Sequence, residues 1–111
     1  MKQVDLTLYG VTSNWASGSY NQLLVSVAVV SCVMHHKKDA TWNFPTPPLV
    51  TVSIEPFRHL PIDDKHALIT RGSEVVLHVT GTTENPQTEV VSVKERSDRP
   101  LTDFLEALEK A

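Results

Sequence analysis

The chain has one cysteine, Cys32, so no disulfide can close within it. Glycine is scarce, with four residues in all, and no Gly-x-Gly-x-x-Gly or phosphate-loop pattern occurs. Such clusters let the main chain approach a nucleotide's phosphates closely, so nucleotide-cradling chemistry has no seat here. No Gly-x-Ser-x-Gly elbow is present either, and Gly18-Ser19-Tyr20 and Gly72-Ser73-Glu74 read as turns. Cations are not in excess: 10 Lys and Arg stand against 13 Asp and Glu, for a net charge of −3. A protein that coats DNA by neutralising phosphates needs the opposite balance. The longest apolar run, Leu23 to Met34, falls well short of the about 20 residues of a membrane-spanning helix. The opening Met1-Lys2-Gln3-Val4-Asp5-Leu6 alternates polar with apolar and carries an early acid. It does not read as a signal peptide, and the expected compartment is the cytoplasm, with no membrane association.

What the chain does contain is valine at strand spacing. Residues 3–12 alternate, with Val4, Leu6 and Leu8 on one face, and predict a first strand. The polar stretch Asn14 to Ser19 predicts a hairpin connection with Trp15 and Tyr20 at its tip. Residues 22–36 predict a long central strand. Val25, Val27, Val29, Ser31 and Val33 fall on one face, and Leu24, Ser26, Ala28, Val30, Cys32 and Met34 on the other. Both faces are apolar, so the strand is expected to be covered on both sides. Residues 37–48 predict a loop, stiffened by Pro45, Pro47 and Pro48. Leu49 to Ile54 reads as a third strand ended by Pro56, and 61–68 as a helical turn capped by Asp63. Residues 74–80 and 89–95 read as an antiparallel hairpin around the turn signal 81–87.

The last segment changes period. Leu101, Phe104, Leu105 and Leu108 recur at helical spacing, Ser97 or Asp98 can cap, and Glu106 and Lys110 form a favourable i, i+4 pair. A helix this short is marginal alone and must dock on its own sheet or on a partner. The pattern predicts an α+β fold: a single domain over 1–111, mainly an antiparallel β-sheet of about five strands with a C-terminal amphipathic helix. A small β-sandwich or barrel with a terminal helix is the alternative.

Groups with catalytic potential are present but dispersed. His35 and His36 are adjacent and on a strand point to opposite faces, so they cannot share a metal. His59, Asp63 and His66 can converge if 61–68 turns, in a composition that is ordinary for a loop. Cys32 lies in the most apolar segment, where burial raises a thiol's pKa and leaves it inert. No metal, cofactor or enzymatic activity is expected. The aromatics Trp15, Tyr20, Trp42 and Phe44 sit in the two connections flanking the central strand. They can plug the ends of the core, or the group Trp42, Phe44, Lys37 and Lys38 can form a partner-binding surface.

The opening Met1 to Thr12, Met-Lys-Gln-Val-Asp-Leu-Thr-Leu-Tyr-Gly-Val-Thr, followed by Asn14-Trp15, resembles the start of short uncharacterised proteins carried by lambda-like prophages of enteric bacteria. The resemblance implies a cytoplasmic, phage-encoded accessory protein and carries over no site residues. The expected function is therefore a small non-enzymatic protein that binds an unidentified protein partner. Exposed sheet edges invite pairing between copies, so a homodimer is a candidate state. The alternative is a nucleic-acid-binding accessory protein using Lys37, Lys38 and their neighbours.

Overall fold

The computed structural model describes residues 2–19, 21–95, 105–106 and 108–110. Among the described residues the main elements follow in the order β1 (Leu6–Ser17), β2 (Leu23–Met34), β3 (Ala40–Asn43), β4 (Leu49–Ile54), α1 (Ile62–Ile69), β5 (Glu74–Gly81) and β6 (Pro86–Lys94). Short 3₁₀ turns fill 35–37 and 57–59. β1 pairs antiparallel with β2 on one edge and with β5 on the other. β5 pairs with β6, and β2 with β4. β4 meets β6 in parallel through the single pair Ile54 and Thr88. The ring β1-β2-β4-β6-β5 thereby closes on itself, and the sheet is a barrel instead of the open sheet the strand pattern predicts. β3 continues the line of β4 along the far half of β2.

Alternation along each strand builds the interior. Val25, Val27 and Val29 of β2 face Val52 and Ile54 of β4 and Val75 and Leu77 of β5, all of them buried. The outward residues of β2 are not covered: Leu24, Ser26 and Ala28 are half-buried and Val30 is exposed. The expectation of two covered faces is therefore corrected, because a barrel has only one interior. The division of β2 into faces changes as well. A register shift opposite Tyr9 and Gly10 inserts Val30 as an extra residue, so Cys32 lies on the buried side with Val29. A second shift, opposite Val76 and Leu77, does the same in β6. Val90 and Val93 both pack on the core while Val91 points out.

Three boundaries move. β1 continues through Asn14 to Ser17, since Asn14 to Ser17 pair with Leu23 to Ser26 and the turn is confined to 18–22. Tyr20 lies outside the described residues. The 37–48 loop contains β3, whose exposed sequence Ala-Thr-Trp-Asn pairs with Ser31 to Met34. The helical turn is a two-turn helix starting directly after Pro61, so Asp63 sits in the first turn instead of at the cap. There, with Asp64, it meets the positive end of the helix dipole.

Among the described residues, the helix that packs on the barrel is α1, between β4 and β5. Its buried Ala67 and Leu68 close one end of the barrel, against β1 and β6. The expected packing of a C-terminal helix on the sheet is corrected accordingly. Leu101 and Phe104 lie outside the described residues; Leu105 and Leu108 are in helical conformation and exposed. The turn after α1 is bolted to β1 by two buried polar residues. The Thr12 hydroxyl donates to the Thr70 carbonyl at 2.7 Å and accepts from the Ser73 amide at 2.9 Å. Ser73, fully buried, donates its own hydroxyl to Thr70 O at 2.9 Å. Both buried hydroxyls are satisfied, as the cost of an unpaired buried polar group demands.

Candidate functional site

Among the described residues, the pairing around the barrel is thinnest between β4 and β6. On its β2 side β4 pairs from Leu49 to Ile54, but toward β6 only Ile54 has a strand partner among the described residues. The inward side chains record the parting: Ile54 is 2% exposed, Val52 7% and Val50 37%. Proline explains the opening. Pro47 and Pro48 precede β4 and Pro86 begins β6, and a residue without an N–H cannot extend a ladder.

The opening is a cleft of about 420 Å³ into the barrel interior. Leu6, Leu8, Val29, Phe44, Val50, Val52 and Val79 line it, and no charged residue does. Phe44 arrives there because the connection from β3 to β4 bulges away from β2. Its amide donates to Val30 O and the Val29 amide donates to Pro48 O, both at 2.9 Å, and the residues between them loop out.

A second hollow, of about 550 Å³, adjoins the cleft and shares Ser53, Pro86 and Thr88 with it. Its walls carry two carboxylates, Glu55 after β4 and Glu89 on β6. Glu55 is held by a short relay: Gln22 Nε2 donates to Ser53 Oγ at 2.5 Å, and Ser53 Oγ donates to Glu55 Oε1 at 3.3 Å. A third hollow, of about 470 Å³, lies under Trp15 beside Arg71, over the bolted turn.

The four residues expected to form one partner surface lie along the β2–β3 turn, β3 and the connection after it. Phe44 lines the cleft and the other three do not. Trp42, 58% exposed, pairs with Cys32 on the adjoining ribbon. Lys37 and Lys38 are exposed on the turn between β2 and β3, where Lys38 and Asp39 take left-handed φ of 56° and 58°. Of the aromatic rings, Phe44 packs against the core, whereas Trp15 and Trp42 remain exposed. His59, Asp63 and His66 do not come together as a metal site, and no group of three metal-ligating side chains does so among the described residues. His66 instead faces Glu95 on the chain beyond β6, at 3.2 Å. Cys32 is buried, and burial pushes its thiol pKa up.

One titratable cluster was not visible in the sequence. It joins the segment before β1, the turn after β2, and β5. Asp5 Oδ1 lies 2.7 Å from His78 Nε2, and His35 Nδ1 lies 2.6 Å from Asp39 Oδ1. His35 Nε2 reaches Thr7 Oγ1 at 2.7 Å, and the His35 and His78 rings meet edge to face. The hydrogen bond from His78 holds the Asp5 carboxyl below its ordinary 3.8; partial desolvation opposes this, and the charges of His78, His35 and His36 add to it. A depressed carboxylate pKa adds stability that is present above 3.8 and lost as the pH falls through the folded-state value. A carboxyl-carbon NMR titration should place the Asp5 midpoint below 3.8, with His78→Ala moving it upward. A wild-type midpoint at or above that value would refute the pairing.

No family model, curated protein or solved structure matches the chain. No helix among the described residues is long and apolar enough to cross a membrane.

Proposed function

We propose that this protein is a non-enzymatic binding module that takes an apolar segment of a partner protein into the cleft between β4 and β6. The cleft carries the reading. It leaves the inward-facing Val50 exposed where a sealed barrel would bury it, and its lining is apolar apart from the hydroxyls of Thr51, Ser53 and Thr88. Apolar concavities with few polar groups are the usual form of recognition sites. The resemblance of the opening residues to prophage proteins supports an accessory role in the cytoplasm.

A specific observation favours a second reading. Counting only the five barrel strands in chain order, they lie 1-2-3-5-4, the first and fourth pair, and the helix joins the third to the fourth. That is the connectivity of the oligonucleotide/oligosaccharide-binding barrel, a partly open Greek key that binds ligands across its second and third strands. On this chain that outer face presents Leu24, Ser26, Ala28, Val30, Thr51 and Ser53. It offers neither the aromatic platforms nor the basic groove that single-strand binding uses. Fold alone does not assign function, so protein binding is the stronger reading, and Trp15 beside Arg71 is where a nucleic acid would be sought.

Capture from bacterial lysate with tagged wild type and Val50→Asp separates the two. Val50 is partly exposed, so the substitution should leave the far-ultraviolet circular dichroism unchanged. The expected result is one protein enriched by wild type, resistant to nuclease, and reduced about tenfold or more by a charge in the cleft. Enrichment indifferent to Val50→Asp, or a mobility shift of single-stranded DNA at low salt lost on Trp15→Ala, would replace this reading with the second.

A further inference from the structure

We infer that the occupant of the cleft is an extended peptide, apolar at alternate residues and ending in a lysine or arginine, which adds as a strand to the free edge of β4. This rests on the binding-module reading and names its ligand.

Three features of one place carry it. The first is the backbone. Residues 49–53 of β4 pair with β2 on one side and, among the described residues, have no strand partner on the other, so their outward N–H and C=O groups are open to a new strand. A peptide that adds to a sheet edge gains main-chain hydrogen bonds, and pockets for its alternate side chains select it. The second is the pleat. Val50 and Val52 point into the cleft, two residues apart, so every second side chain of an added strand enters the same apolar space. A helix dropped into the cleft would leave the β4 edge unsatisfied.

The third is charge. The Ile54–Thr88 bridge is where β6 takes over the edge, so an added strand must stop there. Its last side chain then lies over the adjoining hollow, between Glu55 and Glu89. Among the described residues neither carboxylate forms an ion pair; the three ion pairs found all involve histidine. Two carboxylates from opposite sides of the seam repel a phosphate backbone and complement a cationic side chain.

The test uses the full chain and fluorescein-labelled peptides of alternating valine and threonine. Lysine is placed at either end to allow both strand directions, and glutamate replaces it in controls. One lysine peptide should bind, its glutamate counterpart about tenfold more weakly at low salt. The double variant Glu55→Gln/Glu89→Gln should reduce that preference to about twofold or less. Binding should protect amides of residues 49–53 from hydrogen exchange. Equal affinity for lysine and glutamate peptides, or no protection of those amides, overturns the inference. So does a dimer in sedimentation equilibrium that excludes the peptide, because a second copy would then be the occupant. An apolar dye, anilinonaphthalene sulfonate, separates the two levels. Dye fluorescence lost on Val50→Asp while no peptide binds leaves the cleft reading standing and the strand inference refuted. No dye binding and no peptide binding refutes both.

Discussion

Leu77→Ala is expected to lower the free energy of unfolding by about 3 kcal/mol. Leu77 is 1% exposed and lies mid-barrel on β5, with Leu8 of β1 opposite on one side and Val90 of β6 on the other. Both neighbours belong to strands fixed by their own ladders, so neither can move far into the space a truncated side chain leaves. The loss is then the transfer energy of the missing atoms plus the cavity. Domains of this size are stable by only about 5–15 kcal/mol, so the variant forfeits a large share. Its Tm should fall by roughly 10–20 °C. Leu49→Ala, at a site 68% exposed, is the control and should change stability by about 0.5 kcal/mol or less. Urea denaturation with an unchanged m value measures both. A loss under about 1 kcal/mol for Leu77→Ala would mean that the interior relaxes into the neighbouring cleft.

The strands were legible because a half-buried strand writes its face into the sequence at period two. Leu49 to Ile54 and Glu74 to Thr80 both stand where the pattern places them, and burial alternates without interruption from Glu74 to Val79. The rule fails where a bulge adds a residue. Val30 and the Val91–Ser92 step break the alternation in the structure without leaving a mark in composition, since serine and valine fit either face. β3 failed for another reason: its four residues are all exposed, so they carry no hydrophobic signal, and only pairing with Ser31 to Met34 makes them a strand. Barrel closure was equally silent. It depends on β1 pairing on both edges, and a strand with two neighbours has the same sequence pattern as a strand with one.

The site divides the same way. Phe44 was legible as an aromatic among prolines, and it does line the cleft. Val50 and Val52 read as core residues, and nothing local says that the neighbouring strand parts from them. The available hint was proline at both edges, Pro47-Pro48 and Pro86, each of which denies the ladder a donor. Glu55 and Glu89 are 34 positions apart in a chain with many acids, so their juxtaposition exists only in the fold. The grouping of Trp42 with Lys37 and Lys38 rested on nearness in sequence; all three are exposed on the ribbon of β2 and β3, outside the cleft.

Gly10→Ala is expected to cost about 2–3 kcal/mol, far more than the same change at Gly18. Gly10 is buried on β1, paired with Val29 on one side and Val75 on the other, immediately after the shift that admits Val30. A Cβ there would lie 2.6 Å from the Ala28 carbonyl oxygen and 2.6 Å from Val27 Cγ1. Main chain held by ladders on both sides cannot yield, so β1 or β2 must move bodily. At Gly18 the nearest atoms belong to the Gln22 side chain, which can swing away at the price of its bonds to Ser19 and Ser53. The expected loss there is about 1 kcal/mol. The displacement at Gly10 also has a functional reach, since Leu8 and Val29 flank it and both line the cleft. Thermal unfolding and dye binding should therefore fall together in Gly10→Ala, whereas Gly18→Ala keeps its dye binding. A Gly10→Ala protein as stable as wild type would show that β1 bends without needing a bare backbone at this position, and the bulge opposite it would then owe its place to Val30 instead.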